Sequence, residues 1–363
     1  MSSLFAFPVE YHRLHSIHRD TRKRTVMGLL QDGVWKDQWY PTKENGGKFV
    51  REKSQFRHRI TPEGGSVDEN APEFIAEAQR YHLYVSLACP WAHRTLIFRE
   101  LKSLQAYISV SVVEPHMLHN GWEFSGPNQS DAASHIKGAE TDRLNGKDFL
   151  YQIYQAASSD YTGRVTVPVL WDKKTKTIVN NESSDIIRIF NSAFNHLTGN
   201  TVDLYPEPLR DDIDEVNDWI YSSINNGVYR AGFATSQEAY NEAFDSLFNA
   251  LDKVEKILQG KRYLTGEMIT EADWRLFTTL IRFDSVYVGH FKANRQTIEQ
   301  YPALSAYLRE LYQIEGIAAT VNFEHIKQHY YFSHAHINPS RIVPKGPFID
   351  YHSPHGRDLV DKG

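Results

Sequence analysis

The sequence predicts a chain with two successive parts, an α/β domain followed by an all-α domain. Between residues 81 and 190, short apolar runs alternate with helical patterns. After two prolines at 206 and 208 the pattern becomes helical, with few strand signals up to residue 330. The 363 residues are enough for two domains with separate apolar cores. We place the α/β domain at residues 76–196 and the all-helical domain at residues 205–335.

The α/β part has the element order of a thioredoxin-like domain. The predicted elements, in order, are a strand over 81–87, a helix over 91–104, a strand over 107–113, a helix around 148–157, a strand over 165–172, its hairpin partner over 177–179 and a helix that begins at 181–183. The polar stretch 114–146 is long for a connection without structure. It therefore predicts either a binding role or short elements that the pattern does not reveal.

The helical part carries start and stop signals of its own. Apolar residues recur at helical spacing between 243 and 258, and Gly260 stands where a C-cap glycine is expected. Thr270 and Asp273 resemble the two ends of a capping box, with Asp in place of the usual Glu. These signals predict a helix that ends near residue 260 and another that begins after Thr270.

The two ends of the chain lack sustained periodicity. Residues 1–75 are predicted to form an extended, loop-rich arm that lies on the folded body, with turns at Asp32-Gly33 and Gly46-Gly47. Residues 336–363 contain several prolines and glycines and predict an irregular tail.

Composition excludes several classes of function. A net charge of −5 leaves no basic surface for nucleic acid, and no apolar run approaches the length of a membrane span. One cysteine in 363 residues fits a reducing compartment, so we expect a cytoplasmic protein. The basic N-terminus keeps a mitochondrial presequence open as an alternative, although Glu10 and Asp20 count against it.

The most informative residue is that single cysteine, Cys89, which lies where the first strand turns into a helix. Unpaired backbone N–H groups and the helix dipole at such a position favour a thiolate with a lowered pKa. Pro90 suits the first helical position. A dithiol site would need a second cysteine at position 92, which is Ala, so a partner sulfur must come from a small molecule or another chain. The alternative is a buried structural cysteine.

Three local features together resemble the glutathione transferases. Cys89 follows the first strand, Val167-Pro168 resembles the cis-proline step of that family, and Glu182-Ser183 resembles its acidic-Ser pair at a helix start. The resemblance implies that the Val167 backbone meets the cysteine amide of glutathione. It also implies that Glu182 and Ser183 hold the two charged groups of the γ-glutamyl end, because a helix N-terminus binds a carboxylate.

Longer strings are similar to a narrower group, the glutathionyl-hydroquinone reductases or xi-class glutathione transferases. They occur in order at residues 83–94, 165–172, 225–229, 282–287 and 338–339. The resemblance runs from about residue 27 to about 356, which leaves residues 1–26 as an extension. It implies that glutathione is the co-substrate, that no metal is used and that Cys89 forms a mixed disulfide with glutathione while a hydroquinone leaves.

The same resemblance assigns further site residues. Tyr229, Tyr287 and Tyr330 fall on the tyrosines of the hydroquinone pocket, and Tyr229 and Tyr330 are expected to assist proton transfer. Trp122 is expected to lie over glutathione. Arg164 is our candidate for the glycine carboxylate, with a solvated surface arginine as the alternative.

His93 and Arg94 leave two interpretations open. They add positive potential near the cysteine, or they anchor the arm through hydrogen bonds. The histidines 325, 329, 334 and 336 raise a metal hypothesis, but the i, i+4 pair lacks the Glu of a zinc-hydrolase motif. A polar helix face with an aromatic-histidine tail is the preferred interpretation.

Two competing functions remain. An omega-type thioltransferase or dehydroascorbate reductase shares a cysteine site of this kind. A non-enzymatic docking module on the same scaffold predicts a degraded cysteine or a lost Glu-Ser pair, and both are intact. For quaternary structure we expect a homodimer.

Overall fold

The computed structural model describes residues 28–63, 73–127, 136–358 and 360. The predicted extension over residues 1–26 lies outside this part of the chain. The elements up to the end of the α/β part are β1 (Leu29–Gln31), β2 (Val34–Lys36), β3 (Ile60–Thr61), β4 (Phe74–Ile75), β5 (Tyr81–Val85), α1 (Pro90–Leu101), β6 (Ser109–Val112), α2 (Leu150–Ala157), β7 (Gly163–Arg164), β8 (Val169–Asp172), β9 (Thr177–Asn180) and α3 (Ser183–Ser192).

The central sheet has the strand order β6-β5-β8-β9 and confirms the predicted thioredoxin-like arrangement. Strand β5 is parallel to β6 and antiparallel to β8, and β9 returns as a hairpin beside β8. All five residues of β5 are buried, because helices and loops cover both faces of the sheet. The loop that follows this buried strand contains Cys89 and contacts the helical half.

One predicted strand is shorter in the structure. The run 165–172 was predicted as a single strand, but only its second half, β8, belongs to the central sheet. The preceding pair β7 joins a separate three-stranded sheet with β1 and β2 of the arm. Between them lies the cis peptide bond Val167-Pro168, at the position where the sequence resembles the cis-proline step. Proline cannot donate to a strand ladder, so the strand pattern is interrupted at this residue.

The second half is helical, as predicted. Its α-helices are α4 (Asn195–Thr198), α5 (Arg210–Ile220), α6 (Gly227–Gly232), α7 (Gln237–Gly260), α8 (Glu271–Arg282), α9 (Pro302–Gln313) and α10 (Phe323–Lys327). Three π-helical segments extend α5, α8 and α10 at their C-terminal ends, over Tyr221–Asn225, Phe283–Tyr287 and Gln328–Phe332. Among the described residues, no helix is both long and apolar enough to cross a membrane.

The helix signals read from the sequence have different outcomes. The capping box is confirmed, since Thr270 N–H donates to Asp273 Oδ2 at 2.8 Å and α8 begins at the next residue. The predicted C-cap position is wrong by one residue. Gly260 is the last residue of α7, and the C-cap is Lys261, in an extended conformation.

The described part of the arm lies on the folded body, as predicted. The turn at Asp32-Gly33 joins β1 to β2, and a side chain at Gly33 would collide with the Ser159 carbonyl. Further along, Gly47 O accepts from Thr235 N–H at 2.9 Å, and Lys48 pairs with Glu242 of α7 at 2.6 Å. The arm therefore contacts both the α/β part and the helical part.

Candidate active site

A cavity of about 380 Å³ lies between the start of α1, the arm and the helical half. Its wall combines polar groups from the α/β part with aromatic rings from the helices. The lining includes Arg51, Ser54, Cys89, Trp91, Arg94, Trp122, Arg164, Val167, Glu182, Ser183, Tyr229, His329, Tyr330 and His334. Of the predicted site residues, Tyr287 alone does not reach this wall.

Cys89 is the N-cap residue of α1 and is 9% exposed. Its thiol donates to the Val167 carbonyl oxygen at 3.6 Å. Burial raises the pKa of the Cys89 thiol above its usual value; the backbone N–H groups of Ala92 and Trp91 and the Arg282 cation oppose this rise. The sequence position predicted a lowered pKa, and the structure differs because desolvation outweighs the helix-start donors.

The acidic-Ser pair stands at the start of α3. Glu182 is the N-cap residue, and its carboxylate accepts from Ser184 N–H at 3.2 Å and from Ser54 Oγ at 3.1 Å. Ser183 Oγ accepts from the Arg94 guanidinium at 3.4 Å. A carboxylate, a hydroxyl, a guanidinium and a helix N-terminus therefore meet at one end of the cavity, a group that suits a zwitterionic amino-acid end.

Three tyrosine hydroxyls meet at the other end. Tyr330 Oη lies 2.5 Å from Tyr229 Oη and 3.2 Å from Tyr287 Oη. Burial raises the pKa of all three phenols, so they are protonated at neutral pH. Tyr287 was predicted to bind substrate directly, but it is fully buried behind Tyr330 and reaches the cavity only through that hydroxyl.

Trp122 is 4% exposed and lines the cavity, and its contact with glutathione stays a prediction. Its indole stacks on the His329 imidazole, with ring centroids 4.8 Å apart and an angle of 21° between the planes. His329 Nδ1 donates to the Pro115 carbonyl at 2.9 Å, which holds the imidazole in place. The stack therefore presents a rigid aromatic surface on the cavity wall.

Arg164 lines the cavity, but the arm engages its guanidinium. Nη1 donates to the Gln38 carbonyl at 2.6 Å, Nε contacts Glu52 at 3.1 Å, and the guanidinium lies over the Tyr40 ring at 4.2 Å. These contacts add an anchoring role for the arm to the predicted contact with the glycine carboxylate, which stays a prediction.

Sequence reasoning missed Arg51. Its guanidinium lies 5.0 Å from the Trp91 ring centroid and 4.9 Å from that of Tyr229, and its Nε donates to Asn226 Oδ1 at 3.0 Å. It comes from the arm, where no periodic pattern surrounds it. Only the density of aromatic and basic residues near positions 35–51 could have indicated a cavity wall.

The structure decides between the two interpretations of His93 and Arg94. His93 is fully buried, and burial together with the neighbouring Arg282 lowers its pKa well below 6.5, so it is neutral. Its Nε2 bonds Thr320 Oγ1 at 2.7 Å in the helical half. Arg94 bonds Ser183 and Asn225. Among the described residues, neither side chain bonds the arm, and the cation that most favours the Cys89 thiolate is Arg282.

The C-terminal histidines pack among aromatic rings. His334 lies against Phe233 and Phe291, and its Nδ1 is 3.1 Å from His290 Nε2. Within the described ranges, no group of three or more His, Cys, Asp or Glu residues has the geometry to hold a metal ion.

The thioredoxin-like sheet, the helical half and the cavity between them define a glutathione transferase. Sequence profiles of that family agree: the one described as "Glutathione S-transferase, N-terminal domain" matches residues 88–193, and the one described as "Glutathione S-transferase, C-terminal domain" matches residues 237–310.

Relatives identify the class within this family. The chain is 56% identical over 333 residues to "Glutathionyl-hydroquinone reductase YqjG" of Escherichia coli, covering 92% of this chain and 99% of the relative. The glutathione-bound structure of YqjG superposes with a TM-score of 0.82 at 52% identity, covering 92% of this chain and 99% of that one. A xi-class enzyme from Natrialba magadii gives a TM-score of 0.83 at 48% identity, covering 92% and 97%. The chain belongs to the glutathionyl-hydroquinone reductases, the xi class of the glutathione transferases.

Proposed function

We propose that this protein reduces S-glutathionyl-hydroquinones to hydroquinones with glutathione, through a mixed disulfide on Cys89. The observation that carries the proposal is that one cavity is lined by both a thiol and neutral tyrosine hydroxyls. The name of the Escherichia coli relative and its glutathione-bound structure support both the reaction and the co-substrate.

The glutathione part of the substrate fits the α/β side of the cavity. Its γ-glutamyl ammonium and carboxylate meet Glu182 and Ser183, and its cysteine backbone meets Val167. Trp122 packs against the peptide, and Arg164 faces the glycine end. This orientation brings the glutathione sulfur to Cys89 Sγ, which already lies beside the Val167 carbonyl.

In the first step the Cys89 thiolate attacks the glutathione sulfur. A sulfur–sulfur bond forms as the bond between that sulfur and the ring carbon breaks, and the ring carbon keeps the electron pair. That carbon takes a proton from the hydroxyl pair of Tyr229 and Tyr330, which is then reprotonated from solvent. The hydroquinone leaves, and Cys89 remains as a mixed disulfide with glutathione.

In the second step the thiolate of another glutathione attacks the sulfur of the bound one. Glutathione disulfide leaves and the Cys89 thiolate is regenerated. No second protein thiol is required, which agrees with the single cysteine of the sequence. Glutathione is therefore both part of the substrate and the reductant.

The test is release of menadiol from glutathionyl-menadiol, with glutathione disulfide measured in the same reaction. We expect one glutathione disulfide per menadiol, and we expect Cys89→Ser to lose at least 10³-fold in kcat because a hydroxyl does not form the mixed disulfide. The mechanism is supported if the parent yields one glutathione disulfide per menadiol and the folded Cys89→Ser protein loses activity. A Cys89→Ser protein with parental activity overturns it, and faster dehydroascorbate reduction than menadiol release assigns the omega-type activity instead.

Two further properties belong to this proposal. A homodimer is expected from the superfamily, and sedimentation equilibrium at micromolar concentration measures it. A cytoplasmic location fits an unpaired, reactive thiol, because a reducing compartment supplies the glutathione that completes the cycle.

A further inference from the structure

Arg282, the last residue of α8, is fully buried directly beneath the loop that carries Cys89. Its Nε donates to the Ala88 carbonyl at 2.9 Å and its Nη2 donates to the Leu87 carbonyl at 3.2 Å. A side chain of the helical half thus holds both peptide carbonyls that precede the nucleophile.

The remaining donors of Arg282 extend the contact across the first turn of α1. Nη1 donates to His93 Nδ1 at 3.0 Å and to the Thr278 carbonyl at 2.8 Å. Because Nδ1 accepts, the proton of neutral His93 is on Nε2, which donates to Thr320 Oγ1 at 2.7 Å. The hydrogen-bonding order from Arg282 to Thr320 is therefore fixed.

Within the described ranges, every hydrogen-bond acceptor of Arg282 is neutral: three carbonyls and one imidazole. A buried cation without a carboxylate partner is costly, and an anion nearby offsets that cost. Cys89, the residue that follows the two held carbonyls, is the neighbour that becomes an anion during the reaction.

We propose that Arg282 is a positioning residue for the reaction: it fixes the Leu87-Ala88 backbone so that Cys89 Sγ meets the glutathione sulfur, and it is the buried counter-ion of the thiolate. This inference rests on the proposed function for its chemistry. It assigns a role to a residue of the helical half that does not line the substrate cavity.

Other groups also face the thiol and must be held constant in a test. Arg51 approaches from the arm, Tyr229 and Tyr287 from the helical half, and the N–H groups of Trp91 and Ala92 from α1. Substitutions at Arg282 change none of these side chains. The variant Arg282→Lys keeps the cation, so it separates the loss of charge from the loss of the contacts to the Leu87 and Ala88 carbonyls.

The experiment compares Arg282→Met and Arg282→Lys with the parent. Because Cys89 is the single cysteine, intact mass after iodoacetamide treatment measures its alkylation rate as a function of pH. We expect Arg282→Met to move the midpoint of that profile upward by about one pH unit, since an opposite charge is lost. We expect Arg282→Lys to keep a midpoint near the parent's but to lose about tenfold in kcat with KM unchanged, because one ammonium does not hold two carbonyls in a fork.

The matched control is Arg80→Met, which removes another buried arginine at the opposite end of β5, where it pairs with Asp172. We expect it to lower thermal stability and leave the alkylation profile unchanged. A folded Arg282→Met protein with the parental profile overturns the inference, as does an equal shift in Arg80→Met. If Arg282→Met does not fold, Arg282→Lys decides, and a parental kcat there overturns it. The alkylation assay does not require menadiol release. Failure of the proposed reaction and failure of the role proposed for Arg282 can therefore be distinguished.

Discussion

At the scale of single residues, burial and nearby positive charge act in opposite directions on the pKa of Cys89. Cys89 is buried, which favours the thiol, while Arg51, Arg282 and two N–H groups favour the thiolate. The motif around Cys89 could predict the N–H groups, because they follow from the local turn. It could not predict the depth of burial or the two arginines, because these come from residues 38 positions earlier and 193 positions later in the chain.

The pH dependence of the reaction follows from this balance. With the Cys89 pKa above its usual value, the reactive thiolate is a minor fraction at pH 7 and increases as pH rises. We expect kcat/KM for glutathionyl-menadiol to increase about tenfold per pH unit between pH 6 and 8. A pH–rate profile that is flat over this range contradicts the raised pKa.

The tyrosine cluster predicts unequal roles for its members. We expect Tyr330→Phe to lower kcat about 100-fold, because Tyr330 lines the cavity and donates toward the substrate. Tyr287→Phe removes only a supporting hydrogen bond of about 1 kcal/mol, so its loss should stay within tenfold. Tyr240→Phe, whose hydroxyl bonds Lys292 outside the cavity, is the control and should retain parental kcat. Equal losses at positions 330 and 287 contradict this order.

At the scale of elements, the sequence predicts the regular parts well and the irregular parts poorly. Strand β5, helix α1 and the capping box of α8 follow from local pattern. The π-helical segments do not, because each has only 5 residues and is too short to show a repeat of its own. Tyr287 and Tyr330 both lie on such segments, so the converging hydroxyls depend on backbone geometry that periodicity does not encode. The predicted domain limits at 76–196 and 205–335 stay a proposal.

The capping box of α8 is a stability element rather than a site element. Thr270→Ala removes the hydroxyl that faces the first turn of the helix, and we expect the free energy of unfolding to fall by about 1–2 kcal/mol. Activity per folded molecule should not change. Ser192→Ala, at an exposed helix end, should cost less than about 0.5 kcal/mol. Chemical denaturation measures both, and equal costs would show that the box contributes nothing specific.

At the scale of the whole molecule, the arm joins the two halves over the cavity. It bonds the α/β part through Arg164 and the helical part through Thr235 and Glu242. The sequence predicted that the arm lies on the body, because it has polar turns and aromatic residues but no periodicity. Its path could not be predicted, since the path is set by side chains far away in the chain.

Loss of the Arg164 contacts should loosen the arm. We expect Arg164→Met to speed backbone amide exchange in residues 38–45 by about tenfold, measured by hydrogen exchange with mass spectrometry. The same variant should raise the KM for glutathione if the guanidinium also meets the glycine carboxylate. Arg210→Met, at the exposed start of α5, should change neither quantity. Unchanged exchange in Arg164→Met would remove Arg164 as the arm's anchor.

The single cysteine has a practical consequence for experiments in solution. A thiol-reactive fluorophore or spin label attaches at one known atom without prior mutagenesis. Such a reporter would sit where the arm, the sheet and the helices come together. Because the label occupies the place proposed for glutathione, its signal would report how these three parts move relative to one another in the blocked protein.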